Sequence, residues 1–175
     1  LFVASEETED RFGDVLSADG WQLEAFKKNP VFLFGHNHSL APIGKVPKVW
    51  VEGKQLLSTV VWDEEDPFAM AVKGKYQRGF MRAVSVGFRA LEFEERESNQ
   101  MKGLRTIHFL KQELLEISAV PIPAHPGALK KAYEGTEFKI FMPKGLPAEL
   151  RGVIGWASAH AGGTPKADRD ADWDA

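Results

Sequence analysis

Phe80-Met81-Arg82-Ala83-Val84-Ser85-Val86-Gly87-Phe88-Arg89-Ala90-Leu91-Glu92 is the stretch on which the reading turns. Side chains alternate between the two faces of a strand, so Val84, Val86 and Phe88 share one side while Ala83, Ser85 and Gly87 share the other. The first side is a core face. The second carries a hydroxyl between two small residues, open to a base and to a substrate carbonyl, as nucleophilic catalysis by serine requires. A solvent-facing serine on a half-buried strand is the plain alternative.

Outward from this strand, turn residues divide the chain. Upstream, Asp66-Pro67 predicts a helix start with Asp as cap and Pro in the first turn. Phe68, Val72 and Tyr76 then recur every four residues until Arg78-Gly79. Lys48–Glu52 and Gln55–Trp62 predict a hairpin turning at Gly53-Lys54, and Val31–Phe34 a short buried strand. A short helix is expected over Trp21–Lys28, stopped by Asn29-Pro30 because the residue before proline leaves the α region. The acidic stretch Glu6–Asp14 precedes it. Downstream, the polar excursion Glu94–Gly103 predicts an exposed loop, followed by a strand pair, Arg105–Lys111 and Glu113–Val120. Pro121, Pro123, Pro126 and Gly127 predict a stiff irregular loop. Phe138–Met142 is expected as a further strand, Pro147–Ile154 as a helix, and the end from Gly162 as a flexible acidic tail. The expected organisation is a domain over 1–133, an extension over 134–161 and a tail over 162–175. The fold class is mainly β, with a few helices inserted.

Composition narrows the chemistry. The 175 residues suit one principal domain, with 43% hydrophobic and 27% charged residues. No cysteine is present, which excludes disulfides, thiolate nucleophiles and cysteine-based zinc sites. A net charge of −3 is not the basic footprint of a nucleic-acid binder, and no apolar run approaches a membrane span of roughly 20 residues. Neither nucleic acid nor membrane is an expected partner. The chain begins at Leu1 rather than Met, as a trimmed or processed product would.

Two other positions could work with Ser85. His36 ends the Val31–Phe34 strand after Gly35, and a base mounted at a strand end is held rigidly with its tip accessible. Imidazole titrates near neutrality, so it can take and return the serine proton. His38 competes with it, and a loop histidine without a role is the alternative. Within Glu113-Leu114-Leu115-Glu116-Ile117-Ser118-Ala119-Val120, strict alternation sets Leu114, Glu116, Ser118 and Val120 on one side, with Glu113 opposite. A carboxylate there is either paired or exposed, because an unpaired buried charge is costly. His36 and His38 share one face if extended and could also form a two-ligand metal site, with a metal-dependent nuclease as the remote alternative; His108, His125 and His160 are isolated.

Three segments carry a resemblance. Asn29-Pro30-Val31-Phe32-Leu33-Phe34-Gly35-His36-Asn37-His38, with Pro42-Ile43-Gly44-Lys45-Val46, resembles the histidine block of the tailed-phage prohead protease family. Arg82–Phe88 is similar to its serine block, and Glu113–Pro126 to its third block. They stand in the family's order, and the likeness covers about residues 3–130, including Glu9–Asp14 and Gly20-Trp21. It implies a serine endopeptidase with Ser85 as nucleophile, His36 as base and Glu116 as third member, with no cofactor and no metal. His36 is favoured over His38 because the family histidine directly follows the Asn-Pro-Val strand. Glu116 is favoured over Glu113 because the family acid directly precedes an Ile/Val-Ser pair. His125 stands where the family commonly has asparagine. The family's distant similarity to herpesvirus assembly proteases implies a partly closed antiparallel β-barrel ringed by helices. The implied substrates are the major capsid protein, the scaffold protein and the enzyme itself, within an assembling prohead in the host cytoplasm; a homo-oligomer is also implied. Oxyanion donors are expected among backbone N–H groups of Pro121–Gly127. A catalytically silent assembly or scaffold protein of the same fold is the alternative.

Overall fold

The computed structural model describes residues 1–97, 103 and 105–131, within a unit that runs from Leu1 to Tyr133. The expected strand over 138–142, the helix over 147–154, His160, the extension and the tail lie outside the described residues.

Strands dominate. In chain order they are β1 (Phe2–Glu6), β2 (Val15–Leu16), β3 (Trp21–Gln22), β4 (Val31–Phe34), β5 (Gly44–Glu52), β6 (Gln55–Trp62), β7 (Ala83–Glu97) and β8 (Arg105–Val120). Two α-helices accompany them, α1 (Glu24–Lys28) and α2 (Pro67–Gln77), with a 3-10 turn over Ala18–Gly20. The sheet runs β1-β6-β5-β4-β8, with β7 on the other side of β8. Residues 128–131 then stitch β7 back to β1. Val84 N–H donates to Ala128 O at 3.1 Å, and Val3 N–H donates to Leu129 O at 3.0 Å. Lys130 pairs with Phe2 across that seam and Leu129 with Ala83. The mainly β class and the nearly closed barrel are therefore borne out. The sheet is mixed, however: β2, β3 and β4 all lie parallel to β8, in succession along one of its edges.

The local chemistry works as the residues dictate. Asp66 Oδ1 caps α2 by accepting from Phe68 N–H at 2.8 Å, and Pro67 opens the helix. Val72 and Tyr76 are buried, while the half-exposed Phe68 stacks edge-on against Phe34, with ring centroids 5.2 Å apart. The β5–β6 turn places Gly53 at φ 57°, a conformation glycine adopts without steric cost. Val84 and Ile117 from the hairpin, Phe32 from β4 and Leu56 from β6 fill the interior, each buried to 0% exposure. Val86 and Phe88 pack against that core, so the alternation expected for this strand is present.

Three expectations need correction, and one strand was not expected. Trp21 is not helical: Trp21-Gln22 pairs with Gln112-Glu113, and the helix begins only at Glu24. The strand around Ser85 starts at Ala83, because Phe80 and Met81 are still turning out of α2 through bonds to Lys75 O. Arg105–Val120 is one 16-residue strand rather than a pair, since all of it aligns with β7. Phe2–Glu6 forms β1, a strand that alternation did not announce because four consecutive residues, Phe2 to Ser5, are all buried.

Candidate active site

The hairpin β7–β8 carries two of the three expected residues. Ser85 lies directly across the antiparallel ladder from Ser118, and Gly87 across from Glu116. Residues so placed hold their Cβ atoms about 4.5–5.5 Å apart on one face. Ile117 and Ala119 point into the core, so Glu116 and Ser118 face outward with Ser85 and Gly87.

A defect in the ladder lies just beyond the Gly87–Glu116 pair. Gly87 pairs with Glu116 but the next residue, Phe88, pairs with Leu114, leaving Leu115 as an extra, half-exposed residue. One inserted residue reverses the facing of everything beyond it. Leu114 is consequently in the core at 1% exposure, whereas Glu116 is on the outer face. The expectation that Leu114 and Glu116 share a side is overturned by this bulge.

His36 reaches the same spot from β4. Phe34 pairs with Ala119 and Gly35 N–H donates to Ala119 O at 2.9 Å, so a straight continuation would carry His36 past the end of β8. The backbone instead turns back, with Gly35 at φ 62° and His36 at φ 58°. The left-handed conformation costs a non-glycine residue about 1–2 kcal/mol. Two hydrogen bonds offset it. His36 N–H donates to Ser118 Oγ at 3.0 Å, and Nδ1 lies 2.6 Å from Glu116 Oε1. Glu116 is 2% exposed, and its second oxygen accepts from Ser118 Oγ at 2.6 Å. A carboxylate with both oxygens engaged can stay charged inside the protein. Facing an ionised acceptor, Nδ1 carries the imidazole proton and Nε2 keeps its lone pair. The bond to Glu116 raises the His36 pKa above the ordinary imidazole value, against the opposing pull of burial.

The glycine beside Ser85 has a spatial reason. A Cβ at Gly87 would run into Glu116 Oε1 and stand 3.0 Å from its Cγ and Cδ. Gly87→Ala should push the carboxylate off His36, lowering kcat/KM by about a hundredfold. Overpacking should also destabilise the fold by about 1–3 kcal/mol. Steady-state kinetics beside a thermal melt check this; an alanine variant with wild-type turnover would show that the carboxylate does not need that space.

The expected residues are therefore partly assembled. His36 and Glu116 are joined, and Ser85 is one cross-strand step away, at Ser118. Among the described residues no hydrogen bond links Ser85 Oγ to His36. Ser85 is 5% exposed. Glu113 points elsewhere, pairing with Arg89 at 2.5 Å. His38 is exposed in the turn after β4. His108 bonds Ser17 Oγ at 2.8 Å. His125 is structural: its Nδ1 accepts from Gly127 N–H at 3.0 Å, so Nε2–H donates to Thr8 Oγ1 at 2.8 Å. Burial lowers its pKa. With Arg11 Nη1 donating to Pro123 O at 2.5 Å, these bonds tie the proline-rich loop to residues 8–11. Ser118 and Gly87 are the two site residues whose parts the sequence reading missed. The available signal was their place two positions from Glu116 and from Ser85 on strands already recognised.

Among the described residues no group of three or more His, Asp or Glu side chains could hold a metal ion, and no helix is long and apolar enough to cross a membrane.

Comparison with known proteins agrees with the sequence blocks. The chain is 29% identical over 161 residues to the prohead protease of Escherichia phage T5, covering 83% of this chain and 72% of that one. It is 35% identical over 159 residues to the capsid polyprotein of Pseudomonas phage PAJU2, covering 87% of this chain but only 21% of the polyprotein. The chain thus corresponds to about a fifth of that larger relative. No solved structure gives a significant match. The family described as caudovirus prohead serine protease matches residues 5–139, more than three quarters of the sequence, and takes in β4, β7 and β8 entire. The chain belongs to the caudovirus prohead serine protease family.

Proposed function

We propose that the protein cleaves peptide bonds with Ser85 as nucleophile, His36 as general base and Glu116 as the carboxylate that orients the base. The observation that carries this reading is the 2.6 Å bond from His36 Nδ1 to the buried Glu116, beside the cross-strand neighbour of Ser85. Catalytic hydrogen bonds are often long in unliganded enzymes and tighten when substrate binds, so the missing Ser85–His36 bond is compatible with the assignment.

In the first step Ser85 Oγ attacks the scissile carbonyl and gives its proton to His36 Nε2. Glu116 stabilises the resulting imidazolium, as the aspartate of the serine-protease triad does. The tetrahedral intermediate collapses as His36 returns the proton to the leaving amine, which departs and leaves an acyl-Ser85 ester. Water, deprotonated by the same imidazole, then releases the acid. Oxyanion donors of this kind are each worth about 2.7–4 kcal/mol. In the loop 121–127 the Gly127 N–H is spent on His125, which leaves Ile122, Ala124 and His125 as donors to consider.

The substrates we assign are the major capsid protein and the scaffold protein, with the enzyme also cutting itself, inside the assembling prohead as a homo-oligomer. Family membership and the name of the PAJU2 relative, a capsid polyprotein, support that class of substrate. We further assign residues 1–133 as the protease domain, with 134–161 an extension and 162–175 a tail. A fluorophosphonate should label the protein once, and peptide mass spectrometry should locate the adduct on Ser85. Labelling of another serine would reassign the nucleophile; an unlabelled protein that also leaves capsid and scaffold uncut would instead be a silent assembly factor.

A further inference from the structure

We infer that Ser118 is a positioning residue that locks the His36–Glu116 pair in place through both ends of its hydroxyl. This rests on His36 acting as the base.

The geometry is a closed ring. From the His36 backbone N–H it passes to Ser118 Oγ at 3.0 Å, and from that hydroxyl to Glu116 Oε2 at 2.6 Å. It then returns from Glu116 Oε1 to His36 Nδ1 at 2.6 Å. A serine hydroxyl has one hydrogen and two lone pairs, so Ser118 donates to the carboxylate and accepts from the amide. Its proton is therefore committed, which also separates it from Ser85, whose hydroxyl has no such tie among the described residues. Ser118 is 0% exposed, so water cannot replace it without rearrangement.

Each bond in the ring has a distinct consequence. The one to the His36 amide supports a backbone conformation that histidine adopts at a cost, fixing where the imidazole begins. The one to Glu116 fixes the carboxylate plane and draws off part of its negative charge. Less charge on Oε1 means a weaker hold on the His36 proton. Among the described residues, Glu116 bonds the imidazole and Ser118 the His36 amide, both from β8, while Ser85 and Gly87 stand across from them on β7. Further along the hairpin Arg89 and Glu113 neutralise each other. Glu116 is the charged group that acts on His36.

Ser118→Ala removes the hydroxyl without adding bulk. We expect kcat to fall about ten- to a hundredfold, as for a misplaced catalytic group, with KM unchanged. The acidic limb of kcat should move to higher pH, because Glu116, relieved of one donor, binds the imidazolium more tightly. An NMR titration of the His36 ring in the same variant should show the same displacement, independent of activity. Ser118→Thr, which restores the hydroxyl, should recover most of kcat and return the limb. A Ser118→Ala protein with unchanged kcat, or with a His36 titration identical to wild type, overturns the proposal. Failure of the parent reading looks different: His36→Ala would then still cleave, whatever Ser118 does.

Discussion

Replacing Ser85 by alanine should abolish cleavage of a co-expressed capsid or scaffold protein, a loss of roughly 10⁶ in kcat by the measure of other serine proteases stripped of their nucleophile. The structure predicts that the fold survives. Ser85 sits on the outer face of β7 beside Gly87, and its Oγ makes no hydrogen bond among the described residues, so removing it leaves no buried group unpaired. The variant should therefore melt close to wild type, because replacing a buried hydroxyl that has no hydrogen-bond partner among the described residues breaks no bond. Gel analysis of the co-expressed substrate, alongside a thermal melt of the purified variant, reads both. Normal processing by Ser85→Ala would end the assignment of the nucleophile, and a collapsed melt would show Ser85 to be structural.

The second large effect belongs to Glu116. Glu116→Gln keeps the shape of the side chain and removes its charge, so Nδ1 loses the acceptor that fixes the tautomer. The corresponding change in the serine-protease triad costs about 10⁴ in kcat, and a loss of that order is expected here. Glu113→Gln should leave kcat close to wild type, because Glu113 pairs with the exposed Arg89 on the other side of the bulge. The pH profile adds a signed test. In the proposed mechanism His36 must be neutral at Nε2 to accept the serine proton, so activity should rise as pH climbs through its pKa. Glu116 holds that pKa above the ordinary histidine value. The wild-type acidic limb should accordingly lie on the alkaline side of a normal imidazole, and Glu116→Gln should shift its residual activity toward lower pH. A larger loss from Glu113→Gln than from Glu116→Gln would move the role to the other glutamate.

Glu116→Gln and Ser118→Ala shift the limb in opposite directions, although both weaken the same cluster. The first removes the negative charge that favours imidazolium; the second leaves that charge less shared. General loss of stability would not produce that opposition. It ties the proposed chemistry to the local electrostatics.

Much of this was legible in the chain itself. The hydroxyl between small neighbours at Ser85, the strand-end histidine at His36 and the core alternation of Val84, Val86 and Phe88 are local properties, because period-two geometry and turn chemistry act over a few residues. The α2 cap at Asp66 and the β5–β6 turn at Gly53 were equally plain. The order of the three blocks named the family, which the comparison then showed.

What the sequence did not disclose is long-range. Nothing in Leu114-Leu115-Glu116 marks Leu115 as a bulge; an inserted residue is visible only against its partner strand, and it decides that Leu114 enters the core although Glu116 faces outward. The turn that brings His36 back over β8 has its reason in Ser118, 82 positions away in the chain. The closure of the sheet by residues 128–131, the parallel seam of β2, β3 and β4, and the burial of all of Phe2–Ser5 arise likewise from neighbours distant in sequence. Residue types and their local alternation therefore marked the candidate side chains. Pairing between remote strands, which fixes register and so the facing of each side chain, decided which of them meet.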